Sequence, residues 1–474
     1  MQKYYFFDRG ILQGMALSGV EIHPVKGEKL SKEPLFTEER EATPSKPWEV
    51  RYDNSYPNVI WDAKEGIYKL FYTLIIEDSE CENTPIAARP GKVYHPRDDR
   101  RCAVAYAQSK DGIRWEKPNL GIVSFQGSTN NNLLIEDAHG GGVLLDEEDA
   151  DPNRRYKMVA LKDHPGQRSQ MSVSFSPDGI HWSSLQPWTD INPWGDTHNL
   201  PFLDLNDSKY KVVTREWKHN QRVATICESQ DFIHWSNEKT VLKGEGYGDQ
   251  VYSMPIFYYN GLYLGLASIF HEGDRLADNF DTVDCELTYT NNPDDFHFVA
   301  HGEPFIQRGK GKYPNGEFDC GCIYASPPIF KNGKLYFYYM GGNGQHTNFR
   351  ETSFGCIVYE EDKLAYIEPS QAGTEGIVKT ANFECSSDNI QILADFKNIE
   401  DIQCAILDKW DGQVMPGFDF EDCSLKSEEN GWMKLIFKGQ VETLKNQKIC
   451  FCFKLKDTRL YAIRGDLKLV NAKY

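Results

Sequence analysis

Five aspartates, Asp53, Asp137, Asp196, Asp249 and Asp319, each head a short apolar stretch, and carboxylates gathered in one place can divide acid and base roles between them. Like charges in a shared funnel raise one another's pKa, so one carboxyl stays protonated while a neighbour serves as base or nucleophile. Cleavage of a glycosidic bond needs that division. Whether these five gather depends on the elements that carry them.

Each aspartate opens a recurring unit of apolar strand, turn and alternating aromatic strand. Residues 53–73 read DNSYPNVIWDAKEGIYKLFYT, 196–216 read DTHNLPFLDLNDSKYKVVTRE, 249–269 read DQVYSMPIFYYNGLYLGLASI and 319–340 read DCGCIYASPPIFKNGKLYFYYM; 137–160 is a looser copy. A third strand and a closing turn follow, SKDGIRW at 109–115, SPDGIHW at 176–182 and SQDFIHW at 229–235, with degenerate versions ending near Phe298 and Tyr366. Four strands per unit, five times over, describe an all-β five-bladed propeller across residues 1–369. The innermost strands of such blades start at one face of a central channel, which gathers the five aspartates into a ring. After Pro369 the segments shorten, and residues 370–474 read as a β-sandwich. In it Ile449, Phe451 and Phe453 alternate on one face, whereas Trp410, Trp432 and Tyr461 are dispersed. That pattern predicts a structural partner packed on the propeller, not a stacking platform for sugars.

Loops between second and third strands open on the same face as the aspartates and supply the walls. They carry Arg215 and Trp217, then His271–Asp284, then Gly341–Thr352 with His346. With 52 Lys+Arg against 70 Asp+Glu, the formal charge of −18 disfavours nucleic acid and anionic membrane as partners. An oligosaccharide or glycoside fits the aromatic and acidic composition. The twelve cysteines lack paired metal or redox spacing and read as reduced core residues. His139, His198 and His346 show no paired metal spacing either, so neither a metal nor another cofactor is expected. Asp8 and Arg9 interrupt the apolar N-terminus, and no run reaches the length of a membrane span, which together predict a cytoplasmic protein.

The segment Asp53-Asn54-Ser55-Tyr56-Pro57-Asn58 resembles the Asp-Pro-Asn start of the first blade in glycoside hydrolase family 32, and the Asp-Pro start of family 43. The tail at 370–474, with its GIVKTANF opening, resembles the family-32 sandwich in position. The Trp-Met-Asn-Asp-Pro-Asn-Gly signature is absent, as are Arg-Asp-Pro and Glu-Cys-Pro; Gly195-Asp196-Thr197-His198-Asn199 and Gly248-Asp249-Gln250 stand in their places. The resemblance implies hydrolysis of a terminal furanoside, a fructoside or arabinoside, with Asp53 as nucleophile or base and Asp196 as stabiliser or pKa modulator. Asp249 matches the acid by position, and Glu245, Glu272, Glu286 and Glu317 are carboxylates of the expected type nearby. Asn54, His198, Asn199, Arg215, Trp217, Asp319 and His346 are the expected sugar contacts. Two other readings stay open: a glycoside phosphorylase like those of family 130, with Arg215, Arg275, Arg350 and His346 as a phosphate pocket, and a non-catalytic sugar-binding propeller.

Overall fold

The computed structural model describes residues 1–470 apart from Pro165, Trp410, Asp411 and Asn446, and excludes the side chains of residues 13–16 and Glu442; Trp410, one of the dispersed aromatics, thus lies outside the described residues. The chain is all-β, with antiparallel sheets and one four-residue α-helix, Ser79–Glu82, among the described residues.

Three separate four-stranded antiparallel sheets follow one another in chain order. The first runs Asn58–Asp62, Ile67–Glu77, Arg101–Ser109 and Leu133–Glu136; the second Ala138–Leu145, Tyr156–Lys162, Gln170–Ser176 and Gln186–Pro187; the third Leu200–Leu203, Tyr210–Lys218, Gln221–Ser229 and Ser236–Lys243. Two further units are joined through one parallel contact, Val283 with Cys322. The fourth is built on Asp249–Ser253, Leu262–His271 and Val283–Thr290, the fifth on Cys322–Ala325, Lys334–Gly342 and Thr352–Glu360. Strands such as Ile67–Glu77 (IYKLFYTLIIE) are buried along almost their whole length, because sheets cover them on both faces.

The closing turns share one geometry. Asp111 Oδ1 accepts from the N–H groups of Ile113 and Arg114, and Ser109 Oγ accepts from Gly112 N–H; Asp178 with Ser176 and Asp231 with Ser229 repeat this. The residue after each aspartate has positive φ, 82° at Gly112, 77° at Gly179 and 68° at Phe232. Glycine takes that conformation freely; at 232 a phenylalanine holds it, its ring buried against Trp235 and Tyr210.

Two expectations need correction. Residues 1–24 do not join the repeats: Gln2–Tyr5, Leu12–Ser18 and Val20–Pro24 pair with C-terminal strands Thr458–Leu469, Gly376–Thr380 and Ala365–Pro369. The physical reason is two-sided burial, for Tyr4 and Phe6 pack into the C-terminal core with Phe383 and Phe453 while Tyr5 and Phe7 pack against Tyr259 and Tyr289 of the fourth unit. Tyr366 likewise lies in the C-terminal sheet. The fifth unit is completed instead by Glu28–Lys29 and Phe36–Thr37, which pair with Thr352–Glu360. Ile449, Phe451 and Phe453 are fully buried, and Trp432, Tyr461 and Leu393 share a core with the fourth and fifth units, so the C-terminal layer is packed on the repeats.

Candidate active site

Asp53 stands ahead of the innermost strand of the first sheet at φ 55°, in a tight turn where Ser55 N–H and Oγ both donate to Tyr52 O. The turn aims its carboxylate at two guanidinium groups. Asp53 Oδ1 accepts from Arg51 Nε at 3.1 Å and Arg350 Nη2 at 2.9 Å, and Asn54 Oδ1 accepts from the same Arg350 nitrogen at 2.7 Å. Both arginines are buried, at 1% and 0% exposure. Burial alone would raise the Asp53 pKa; Arg350 and Arg51 outweigh it and hold the carboxyl well below the usual carboxylate range.

Asp196 follows Gly195, where a Cβ would strike Met171 Sδ at 2.6 Å. Its Oδ2 accepts from Arg215 Nη2 at 2.8 Å, and its Oδ1 lies 3.8 Å from His139 Nε2. His139 Nδ1 meets Asp163 Oδ2 at 2.9 Å. Burial pushes the Asp196 pKa up, but Arg215 and His139 outweigh it, so this carboxyl too is held ionised. The charge of Arg100 acts on Asp53, Asp196 and His139 alike. Asp137 pairs instead with Arg101, itself held by Glu77 and Glu136.

Asp249 is placed differently. It opens its strand opposite His271 in register, with Oδ1 to Nδ1 at 2.6 Å; His271 Nε2 meets Asp284 Oδ2 at 2.8 Å, and Arg308 Nε donates to Asp284 Oδ1 at 2.6 Å. No hydrogen bond or ion pair joins Asp249 to Asp53 or Asp196 among the described residues. Of the other acid candidates, Glu272 binds Arg222, Gln250 and Tyr247, Glu286 binds His301, and Glu317 binds Lys29.

Three expected sugar contacts are structural instead. Asp319, with a fully buried side chain, is bound by Lys29 at 2.8 Å and Tyr339 at 2.7 Å, because the segment that completes the fifth unit brings Lys29 to it. His198, 1% exposed, bonds Asn58 through Nε2 and stacks on Tyr56, and burial pushes its pKa down to about 3. Asn199, fully buried, donates to the carbonyls of Gly140, Gly195 and Thr197 and accepts from Thr214. The rest stay near the carboxylates. Asn54 fixes Arg350, and Arg215 holds Asp196 above the Tyr252 ring. Trp217 is 37% exposed with Arg222 over its ring. His346 bonds Tyr324 and sits edge-on to Tyr252 and Phe270; burial and Arg350 keep it neutral.

Sequence reasoning missed Arg51, Arg100, Asp163 and Glu38. Arg51 carried one signal, its i, i+2 spacing from Asp53, which puts two side chains on one face of an extended segment. Glu38 accepts from Tyr52 and Thr352 N–H through Oε1, and burial pushes its pKa up to about 7. Beside the carboxylates, not over them, lies a cavity of about 820 Å³ between the loops at 275–284, 304–313 and 343–349. It reaches the Asp53 cluster at Asn348, whose carbonyl accepts from Arg51. Asp284 and Arg308 also line it. No group of three or more metal-ligating side chains gathers among the described residues.

No family model matches the chain, and no curated protein matches it. Among solved structures it is similar to an N-acetylgalactosamine deacetylase from F. plautii in complex with blood group B trisaccharide (14% identity, 72% of this chain and 96% of that one, TM-score 0.46). It is also similar to a member of the family 130 mannoside phosphorylases and glycoside hydrolases (14%, 76% and 94%, TM-score 0.44) and to a glycosyl hydrolase from Bacteroides ovatus (16%, 76% and 93%, TM-score 0.43). At such identities and scores the likeness assigns neither family nor activity.

Proposed function

We propose that the five strand units form a five-bladed propeller backed by the C-terminal sheet, and that the chain cleaves a terminal glycosidic bond, of a furanoside such as a fructoside or arabinoside, at the Asp53–Asp196 cluster. The observation that carries this reading is the pair of carboxylates at the heads of the first and third units, Asp53 held ionised by Arg350 and Arg51 and Asp196 by Arg215, with Arg100 acting on both. Asp53 then attacks the anomeric carbon or activates water, and Asp196 stabilises positive charge developing on the sugar ring. Trp217 offers an exposed ring on which a sugar face stacks. Asp249, engaged with His271, supports the wall.

One observation favours a second reading, phosphorolysis. Arg51 Nη1, Arg215 Nε and Nη1, Arg222 Nε and Arg350 Nε are buried N–H groups without partners, so the cluster carries unspent donors suited to an anionic co-substrate. A screen of nitrophenyl furanosides and pyranosides, with and without phosphate, tests both. Turnover without phosphate, lost in Asp53→Asn, is the expected result; strict phosphate dependence selects the second reading. Sugar binding without turnover, unaffected by Asp53→Asn, overturns both in favour of a binding propeller.

A further inference from the structure

Glycosidic cleavage by ionised carboxylates leaves one part unassigned, the group that gives the leaving oxygen its proton. Asp53 and Asp196 are both held ionised by arginines. Asp249 is hydrogen-bonded to His271. Glu38 is tied by one oxygen to main-chain N–H groups, Glu272 to Arg222 and Gln250, Glu286 to His301, and Glu317 to Lys29 outside the cluster.

His139 is built into the site by the chain around it. Gly140, Gly141 and Gly142 let its strand lie against the main chain of 197–200: Asn199 N–H donates to Gly140 O, and Gly141 bridges Asn199 in parallel. A Cβ at Gly140 would lie 2.1 Å from Thr197 O, and one at Gly142 2.0 Å from Asn199 O, so only glycine permits this approach. The contact carries His139 beside Asp196. Asp163, oriented by Ser169 Oγ at 2.7 Å, takes Nδ1. Nε2 faces Asp196 at 3.8 Å, beyond hydrogen-bond reach, and has no other acceptor among the described residues; the imidazole is 19% exposed and Asp196 52%.

We infer that His139 is the proton donor of this site, its Nδ1 anchored by Asp163 and its Nε2–H free to meet the leaving oxygen beside Asp196. The inference rests on the glycosidase reading. In the step, the Nε2–H bond breaks and its proton bonds the glycosidic oxygen. The bond from the anomeric carbon to that oxygen breaks, and its electron pair leaves with the alcohol. The anomeric carbon gains either an Asp53 oxygen or a water oxygen whose proton Asp53 accepts. On the first route water then attacks the anomeric carbon, giving its proton to neutral His139 as the bond to the Asp53 oxygen breaks; on the second, Asp53 releases the proton it accepted to solvent and His139 takes one up from solvent, so both groups return to their starting states. The charged groups facing the ring are Asp163, Asp196 and Arg100. Burial and Arg100 lower its pKa, but the two aspartates outweigh them and raise it above the ordinary imidazole value, the direction a proton donor needs.

Leaving-group dependence tests the assignment, because a dinitrophenolate departs without a proton and an alkoxide does not. His139→Gln should lose on the order of 10²–10⁴-fold in kcat/KM on an alkyl glycoside, the usual worth of general acid catalysis, and less than about tenfold on the dinitrophenyl glycoside of the same sugar. Equal losses on both substrates would make His139 a structural support of Asp196 and overturn the inference. NMR titration of the wild-type imidazole gives a second readout that needs no substrate. The inference expects His139 to titrate above about 6.5 and to fall in Asp163→Asn; a value at or below the ordinary one overturns it. Failure of the wild type to cleave any glycoside would instead overturn the proposed function, leaving the titration to judge whether His139 holds its proton.

Discussion

His271 and His139 each stand between two aspartates, and they are built to opposite ends. His271 has both ring nitrogens occupied, at 2.6 Å by Asp249 and 2.8 Å by Asp284, and Arg308 closes the far side of Asp284. His139 has one nitrogen occupied, by Asp163 at 2.9 Å, while the other stops 3.8 Å short of Asp196. The same residue types thus make a closed brace in the fourth unit and an open donor at the junction of the second and third. A hydrogen-bonding group does chemistry when one of its bonds is left for the substrate.

The comparison breaks most decisively at the carboxylates. Asp53→Asn should cost roughly 10⁴-fold or more in kcat, as removal of a reacting group does, whereas Asp249→Asn should cost less than about tenfold. Steady-state rates of both variants on one active glycoside decide this. An equally large loss in Asp249→Asn would move the chemistry to the closed assembly.

Stability should show the reverse order. Removing the His271 ring takes a partner from the nearly buried Asp284 and from the more exposed Asp249, and His271→Gln should lose about 1–3 kcal/mol in urea unfolding. His139→Gln should lose less, about 1 kcal/mol, because only the Nδ1 bond to Asp163 is there to forfeit and Nε2 makes none.

The pH dependence of stability sharpens the same contrast. For His271, burial works to lower the pKa, yet Asp284 and Asp249 raise it above the ordinary imidazole value. A raised folded pKa contributes stability that is complete below about pH 6.5 and is lost as pH climbs through the folded value. As pH rises above about 6.5, the melting temperature should therefore fall by less in His271→Gln than in wild type. Asp163, Asp196 and Asp284 have lowered values, so their contribution is present above about pH 4 and fades as pH falls through those values. Equal alkaline slopes in variant and wild type would show that His271 does not hold its proton in the fold.

How much of this was legible in the sequence follows from what each residue depends on. The leading aspartates could be read because strand heads recur at fixed places in a repeat; His139, two residues after one of them, was singled out by position alone and carried no mark of a catalytic role. Asp163 could not be read, since it reaches His139 only through the pairing of Ala138–Leu145 with Tyr156–Lys162 and the turn beyond. His198 and Asn199 stand close behind Asp196 at the strand head, yet both are buried, His198 on Asn58 and Asn199 on the carbonyls of Gly140, Gly195 and Thr197, partners that lie on other segments or on the local turn and leave no mark in the sequence. Lys29 and residues 1–24 were opaque for another reason: their partners lie hundreds of residues away, and a short N-terminal strand carries no mark of which sheet edge it completes.

The smallest expected effect isolates the anchor of the open histidine. Ser169 Oγ donates to Asp163 Oδ1 at 2.7 Å, on the carboxylate oxygen that does not touch His139. That bond helps hold the Asp163 pKa down, after the larger influence of His139 itself. In Ser169→Ala the carboxylate loses a donor, becomes more basic and holds the imidazole proton more firmly, so the His139 pKa should rise by a few tenths of a unit, well under the 1.36 kcal/mol that a full unit represents. The alkaline limb of kcat/KM on an alkyl glycoside should move up by the same amount, while kcat on the dinitrophenyl glycoside stays within about twofold. Arg308→Met, which strips the corresponding partner from Asp284 on the closed side, should leave that limb where it is. If the limb moves with Arg308 and not with Ser169, the titrating donor is His271, and the roles of the two assemblies are exchanged.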